Sequence, residues 1–151
     1  MSLSEQLVND LKEALKNRQE RRLSAIRFLR SLVQRREIDK RAPLTDEEIL
    51  DIIQKNIKQR KEVFPDYERM NRQDLLEKER EEVAVLEKYL PEQLTQEELQ
   101  KIVDEAIRET GAATPRDIGK VMGVLMPKVK GKADGKLVGE LVKARLQPPA
   151  A

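Results

Sequence analysis

Apolar residues recur at helical spacing along nearly the whole chain. Leu3, Leu7, Leu11 and Leu15 repeat at every fourth position, predicting a helix with one narrow apolar stripe. From about Arg18 to Lys40, at about 100° per residue, Ile26, Leu29, Leu32 and Val33 share one side. Ser24, Arg27, Ser31 and Gln34 share the other. Pro43 ends this segment, because the residue before a proline avoids helical angles. Thr45-Asp46-Glu47-Glu48 has the spacing of a capping box, in which the threonine oxygen accepts from the third backbone N–H and the glutamate reaches back. Behind it run Ile49, Ile52, Ile53, Ile57, Phe64, Tyr67 and Met70, and Pro65 inside that stripe predicts a kink or short break. Leu75, Leu76, Val83, Leu86 and Leu90 carry the pattern on to Tyr89-Leu90-Pro91. No stretch alternates as a half-buried strand would.

After Pro91 the helices shorten. Thr95-Gln96-Glu97-Glu98 is a second capping box, followed by Leu99, Ile102, Val103, Ala106 and Ile107, with Gly111 where a left-handed cap belongs. Thr114-Pro115-Arg116-Asp117 predicts another start, with Thr as cap, Pro at the first position and an acid at the third. That helix carries Ile118, Val121, Met122 and Leu125 and is expected to stop at Pro127. Asp134 caps a last helix with Leu137, Val138, Leu141, Val142 and Leu146. The expected fold class is all-α: an elongated N-terminal helical bundle over residues 1–91, a small three-helix domain over 92–147, and a loose tail at 148–151.

Charge raises the question of disorder, since 38% of the residues are charged. Leu, Ile, Val and Phe together still make up about 27%, above the roughly 20% below which chains tend not to fold. The chemistry on offer is narrow. With no Cys there is no disulfide, thiol nucleophile or thiolate metal site, and with no His no imidazole base or ligand. Lys, Tyr and carboxylates are the remaining candidates for catalysis, and none stands in a catalytic arrangement; no metal or cofactor is expected. Two Tyr and two Phe are too few for an aromatic sheet that stacks bases. No apolar run approaches a membrane span, and the start MSLSEQLVNDL has no apolar signal core. The expectation is a cytoplasmic protein without a membrane partner.

The near-neutral total hides an uneven distribution. Residues 1–42 carry a net +5, 43–90 a net −4, 91–115 a net −4 and 116–151 a net +5. Basic ends of this kind steer a protein toward a polyanion. Within the last segment, Pro127-Lys128-Val129-Lys130-Gly131-Lys132-Ala133-Asp134-Gly135-Lys136 places four lysines around a glycine turn that enters a helix N-terminus. Lysines there neutralise phosphates without reading bases, and the helix dipole favours an anion. The alternative is a solvated loop kept for solubility. It is not a nucleotide loop: the glycines are misplaced, and Leu137 stands where Ser or Thr must hold Mg²⁺.

Three other features are read as structural. Gly119 and Gly123 predict close approach of another helix, an open surface for an RNA backbone being the alternative. Arg27 and Arg30, with Arg35 nearby, are expected to pair with the acidic helices of the bundle rather than grip phosphates. Glu77, Glu79, Glu81 and Glu82, interleaved with Lys78 and Arg80, read as a solvated face.

The chain resembles the YqeY family, relatives of the C-terminal tail of GatB, one of the subunits of tRNA-dependent amidotransferases. The motifs are Tyr89-Leu90-Pro91-Glu92-Gln93-Leu94 with Glu97-Glu98-Leu99, Asp117-Ile118-Gly119-Lys120-Val121-Met122, and Met126-Pro127-Lys128-Val129-Lys130-Gly131-Lys132-Ala133-Asp134-Gly135-Lys136-Leu137-Val138. Arg22-Leu23, Leu29-Arg30, Gln54-Lys55, Lys58-Gln59-Arg60-Lys61, Arg72-Gln73-Asp74-Leu75 and Lys78-Glu79 extend it through the N-terminal half, with Pro65 a departure. The resemblance implies a helical protein whose second part is similar to a tRNA-contacting tail, with tRNA and amidotransferase or aminoacyl-tRNA machinery as partners. With the lysine turn, the expected RNA-binding residues are Lys120, Lys128, Lys130, Gly131, Lys132 and Lys136. The favoured reading is a non-catalytic tRNA-binding or tRNA-enzyme accessory protein. A component of a glutamine-dependent amidotransferase, acting as a carbon–nitrogen ligase, and a helical interaction module are the alternatives.

Overall fold

The computed structural model describes residues 1–147, so the tail expected at 148–151 lies outside the described residues. Among them are eight α-helices, one 3-10 turn and no strand. The backbone packs into two units, Met1–Leu90 and one that begins at Pro91.

The first unit holds α1 (Leu3–Lys16), α2 (Glu20–Lys40), α3 (Asp46–Glu62), α4 (Phe64–Arg69) and α5 (Gln73–Glu87). Helix α2 packs against α1, α3 and α5, and Leu7, Ile26, Leu29, Ile49, Ile53 and Leu86 meet in the core. Local chemistry sets the ends. Thr45 and Glu48 form the reciprocal cap of α3. Pro65 breaks the third stripe at Val63, and α4 restarts with the proline in its first turn, where its missing N–H costs no helical bond. Arg41 closes α2 in a left-handed conformation, φ 60°, without the glycine such a cap favours. Tyr89 Oη donates to Asp10 Oδ2 at 2.5 Å, tying the end of this unit back to α1. Burial and then the Asp10 carboxylate push the phenol pKa well above its ordinary value.

Three expectations need correction here. Leu15 is 57% exposed and Ala14 is buried instead. A four-residue repeat drifts by about 40° per step, so three steps carry the leucine off the core face. Met70 is exposed too, because the break at Val63 re-aims the stripe. Glu82 is not solvated: it is buried, and its Oε2 accepts from Arg60 of α3 at 2.6 Å. Arg60 also donates to Asn56 Oδ1 and Glu79 Oε2.

The second unit holds α6 (Gln96–Thr110), a 3-10 turn at Pro115–Asp117, α7 (Ile118–Val129) and α8 (Gly135–Leu146). Each helix packs on the other two around Leu99, Val103, Val121, Leu125, Val129, Val138 and Val142. Thr95 and Glu98 form the cap of α6, and Gly111 ends it at φ 65°. At the next start, Asp117 accepts from the backbone N–H groups of Ala113 and Thr114, which hold its carboxyl below the ordinary range. The expected stop at Pro127 does not occur; α7 runs through it to Val129. The carbonyl that Pro127 leaves without an amide donor belongs to Gly123, on the solvent side of the helix and close to its end, where the loss is cheap.

Candidate nucleic-acid interface

The lysine-rich segment is a short turn between α7 and α8, and its own chain fixes it in place. Side chains alternate across it. Val129 is fully buried and Gly131 is buried, while Lys128, Lys130 and Lys132 face outward. The amide N–H groups of Lys132 and Ala133 both donate to the Val129 carbonyl, at 2.8 and 3.1 Å. Gly131 takes φ 78°, and an added Cβ would stand 3.5 Å from Pro91 Cγ. This is where the turn needs glycine.

A second strand of chain, Pro91–Leu94, clasps the turn. Gln93 Nε2 donates to the Gly131 carbonyl and to the Pro91 carbonyl, each at 2.8 Å. The Leu94 N–H donates to the Lys132 carbonyl at 2.9 Å. Nothing in the spacing of the sequence indicated that Gln93 serves the turn.

The expected site residues divide into four groups. Lys132 and Lys136 are exposed, and among the described residues neither side chain has an ion-pair partner. Lys120 is exposed on α7 and helps lower the Asp117 pKa after the two backbone donors. Lys128 lies 3.3 Å from Glu109 of α6, and Lys130 is not without a partner. Gly131 contributes backbone geometry, not an accessible surface.

The helix N-terminus differs from the expectation. Asp134 accepts from the Lys136 N–H at 3.2 Å, so the chain's own carboxylate occupies part of the dipole end read as an anion site. The glycine step differs as well. Gly119 and Gly123 are exposed, and a Cβ at either would meet nothing within 4 Å. No described helix packs there. The core of α7 lies on the side of Val121, Leu125 and Val129, leaving Gly119, Lys120, Gly123 and Pro127 toward solvent.

In the first unit, Arg27, Arg30 and Arg35 pair with no carboxylate among the described residues, contrary to the expected pairing within the bundle. The bundle acids have other partners: Arg60 takes Glu79 and Glu82, Arg21 takes Glu81, and Lys61 takes Glu87. Among the described residues no group of three acidic side chains is placed to hold a metal ion, and no helix is long and apolar enough to cross a membrane.

A family model described as Yqey-like protein matches residues 4–146. "Altered inheritance of mitochondria protein 41, mitochondrial" of Pyrenophora tritici-repentis is 30% identical over 139 residues, covering 89% of this chain and 75% of that protein. Its namesake in Kluyveromyces lactis is 33% identical over 140 residues, covering 89% and 71%. A glutamyl-tRNA(Gln) amidotransferase subunit of Thermococcus sibiricus is 40% identical over 58 residues, 36% of this chain and 9% of that protein. The cytoplasmic expectation is corrected by these relatives, since the two fungal proteins are mitochondrial by name. Its physical basis was too narrow: missing apolar runs bear on secretion and membrane insertion, whereas organelle addresses are amphipathic and basic.

Proposed function

The chain belongs to the Yqey-like protein family, and from that premise we propose that it is a non-catalytic tRNA-binding accessory to tRNA-modifying or tRNA-charging enzymes. The RNA contact is the α7–α8 turn with the open side of α7: Lys120, Lys132 and Lys136 meet phosphates, and Lys128 and Lys130 join them by exchanging their present partners. One observation carries this reading. Lys132, on a turn held by Gln93, Leu94 and Val129, and Lys136, in the first turn of α8, stand exposed and without an ion pair among the described residues, so their charge is presented from fixed backbone. Fixing the backbone beforehand lowers the ordering cost of binding. The open Gly119–Gly123 step supports the same surface, because it lets a sugar–phosphate backbone approach the helix closely.

The match to an amidotransferase subunit supports the choice of tRNA over other polyanions. It also favours a second reading, in which the chain is a component of a glutamine-dependent amidotransferase. A gel shift with mixed tRNA separates the two. Under the accessory reading the pure chain shifts tRNA at low salt, and a Lys120→Glu/Lys132→Glu/Lys136→Glu variant of unchanged helicity does not. Equal shifts by the two proteins would overturn it. Ammonia released from glutamine by the pure chain would favour the second reading.

A further inference from the structure

Helix α2 carries a basic, partly aromatic face that the lysine turn does not explain. Of its side chains, seven are basic and three acidic. At about 100° per residue, Arg27, Phe28, Ser31, Gln34, Arg35 and Ile38 fall within an arc of roughly 120° opposite Leu29 and Val33, with the half-buried Arg30 at its edge beside Ile26. On this face Phe28 is 48% exposed and Ile38 75% exposed. Leu23, Ser24, Arg27 and Phe28, with Glu20, line an open hollow of about 560 Å³.

The arginines are the informative part. Arg27, Arg30 and Arg35 lie in a unit with a surplus of carboxylates on α3 and α5, yet none of the three is paired among the described residues. Arg21 and Arg22, on the same helix, do pair, with Glu81 and with Asp10 and Glu13. Among the described residues these three guanidiniums thus form no ion pair, although Glu20 lines the hollow beside Arg27. Beside them, the Phe28 ring carries the Arg60 guanidinium at 5.2 Å from its centroid, and Arg60 is held by Asn56, Glu79 and Glu82. The aromatic ring is thus braced from within while about half of the residue meets solvent.

We infer that this face binds unpaired nucleotides of an RNA: Arg27, Arg30 and Arg35 hold successive phosphates, and an unstacked base seats on Phe28 over the Leu23–Ser24 hollow. Guanidinium suits this role because it binds phosphate through two N–H groups and stacks on bases. One braced aromatic ring among cations and small polar residues matches single-strand recognition, where stacking adds to charge. An acidic protein would use the arginines but not the ring. The inference deepens the RNA-binding reading by adding a single-strand contact on the other unit, and it rests on that reading.

The chain has no tryptophan, so Phe28→Trp installs the sole indole at the proposed stacking position. The full-length variant is titrated with an oligouridylate 12-mer, with inorganic polyphosphate as a charge-only probe. The inference expects quenching of the indole by the oligonucleotide and none by polyphosphate. In the otherwise native chain, Arg27→Ala/Arg30→Ala/Arg35→Ala should flatten the salt dependence of oligonucleotide binding by about two, near 0.7 per contact. Phe28→Ala should weaken binding roughly ten-fold with the slope unchanged. Binding without quenching, or equal binding of polyphosphate, would overturn the inference. If the α2 variants keep full affinity for tRNA while the lysine-turn variant loses it, this inference fails and the proposed function stands. The reverse result keeps the α2 face and moves the RNA site off the turn. Loss in neither set overturns both.

Discussion

Gln93 and Gly131 lie 38 positions apart, yet the Gln93 amide donates to the Gly131 carbonyl at 2.8 Å. This bond joins the Pro91–Leu94 segment to the lysine turn. The two most distinctive motifs of the chain are therefore one structural object: the first is the clasp, the second the turn it holds.

Removing the clasp should loosen the turn without changing its charge. Gln93→Ala should cost about 1 kcal/mol, the usual net worth of such a bond, read from chemical denaturation. It should weaken tRNA binding while leaving the salt dependence as it is. Gly131→Ala should cost about 1–2 kcal/mol through its left-handed backbone, and Gly131→Asn less, since Asn tolerates that region.

At Gly119 and Gly123 the sign should reverse. Each lies in a helix with open space where a Cβ would go, so alanine should stabilise the chain by roughly 0.5–1 kcal/mol at each. A double alanine variant that melts higher but binds tRNA less well supports backbone approach at this step. One that melts lower contradicts the open geometry.

The caps and the break at Pro65 were legible in the sequence because each depends on residues within four positions of one another, as in Thr45 with Glu48 and Thr95 with Glu98. The rest depends on partners far along the chain. Lys128 was read with its neighbouring lysines, but Glu109 pairs with it from α6. Glu82 was read with its neighbouring acids, but Arg60 buries it from α3. That no described helix covers Gly119, and that Arg27 has no ion pair among the described residues, is also tertiary, and no spacing rule encodes it. What remained readable of the site was its charge and its glycine, not its clasp or its unpaired members.

Arg60→Ala should be among the most destabilising single changes in the first unit. It strands Glu82, whose Oε2 loses its partner and whose Oε1 has none among the described residues, and it removes the cation over Phe28. The expected loss is about 3–5 kcal/mol, the usual cost of stripping one member from a buried pair. Arg60→Met with Glu82→Leu should recover most of it, measured by urea denaturation. A double variant as unstable as the single would mean the pair is not the cause.

Acid should weaken the fold through its caps. The Glu48 pKa lies below its ordinary value of 4.5, chiefly through Lys40 and then the Thr45 N–H. Asp117 lies below 3.8 through the Ala113 and Thr114 N–H groups. Because folding lowers both, the folded state binds fewer protons, and their stabilisation is complete above about pH 5 and lost as pH falls through the folded values. Thermal midpoints should drop below about pH 4.5. Glu48→Gln should melt lower than the native chain at pH 7 and alike at pH 2.5; a constant difference would contradict the assignment.

The claim that the α7–α8 turn is the RNA contact is tested most directly by the salt dependence of tRNA binding. Each lysine on a phosphate releases about 0.9 of a counterion from duplex RNA-like backbone, so Lys132→Ala/Lys136→Ala should reduce the log–log slope by about two. The reduction should be the same for tRNAs of different sequence, because ammonium groups read charge and not base identity. An unchanged slope in the double variant would contradict the account.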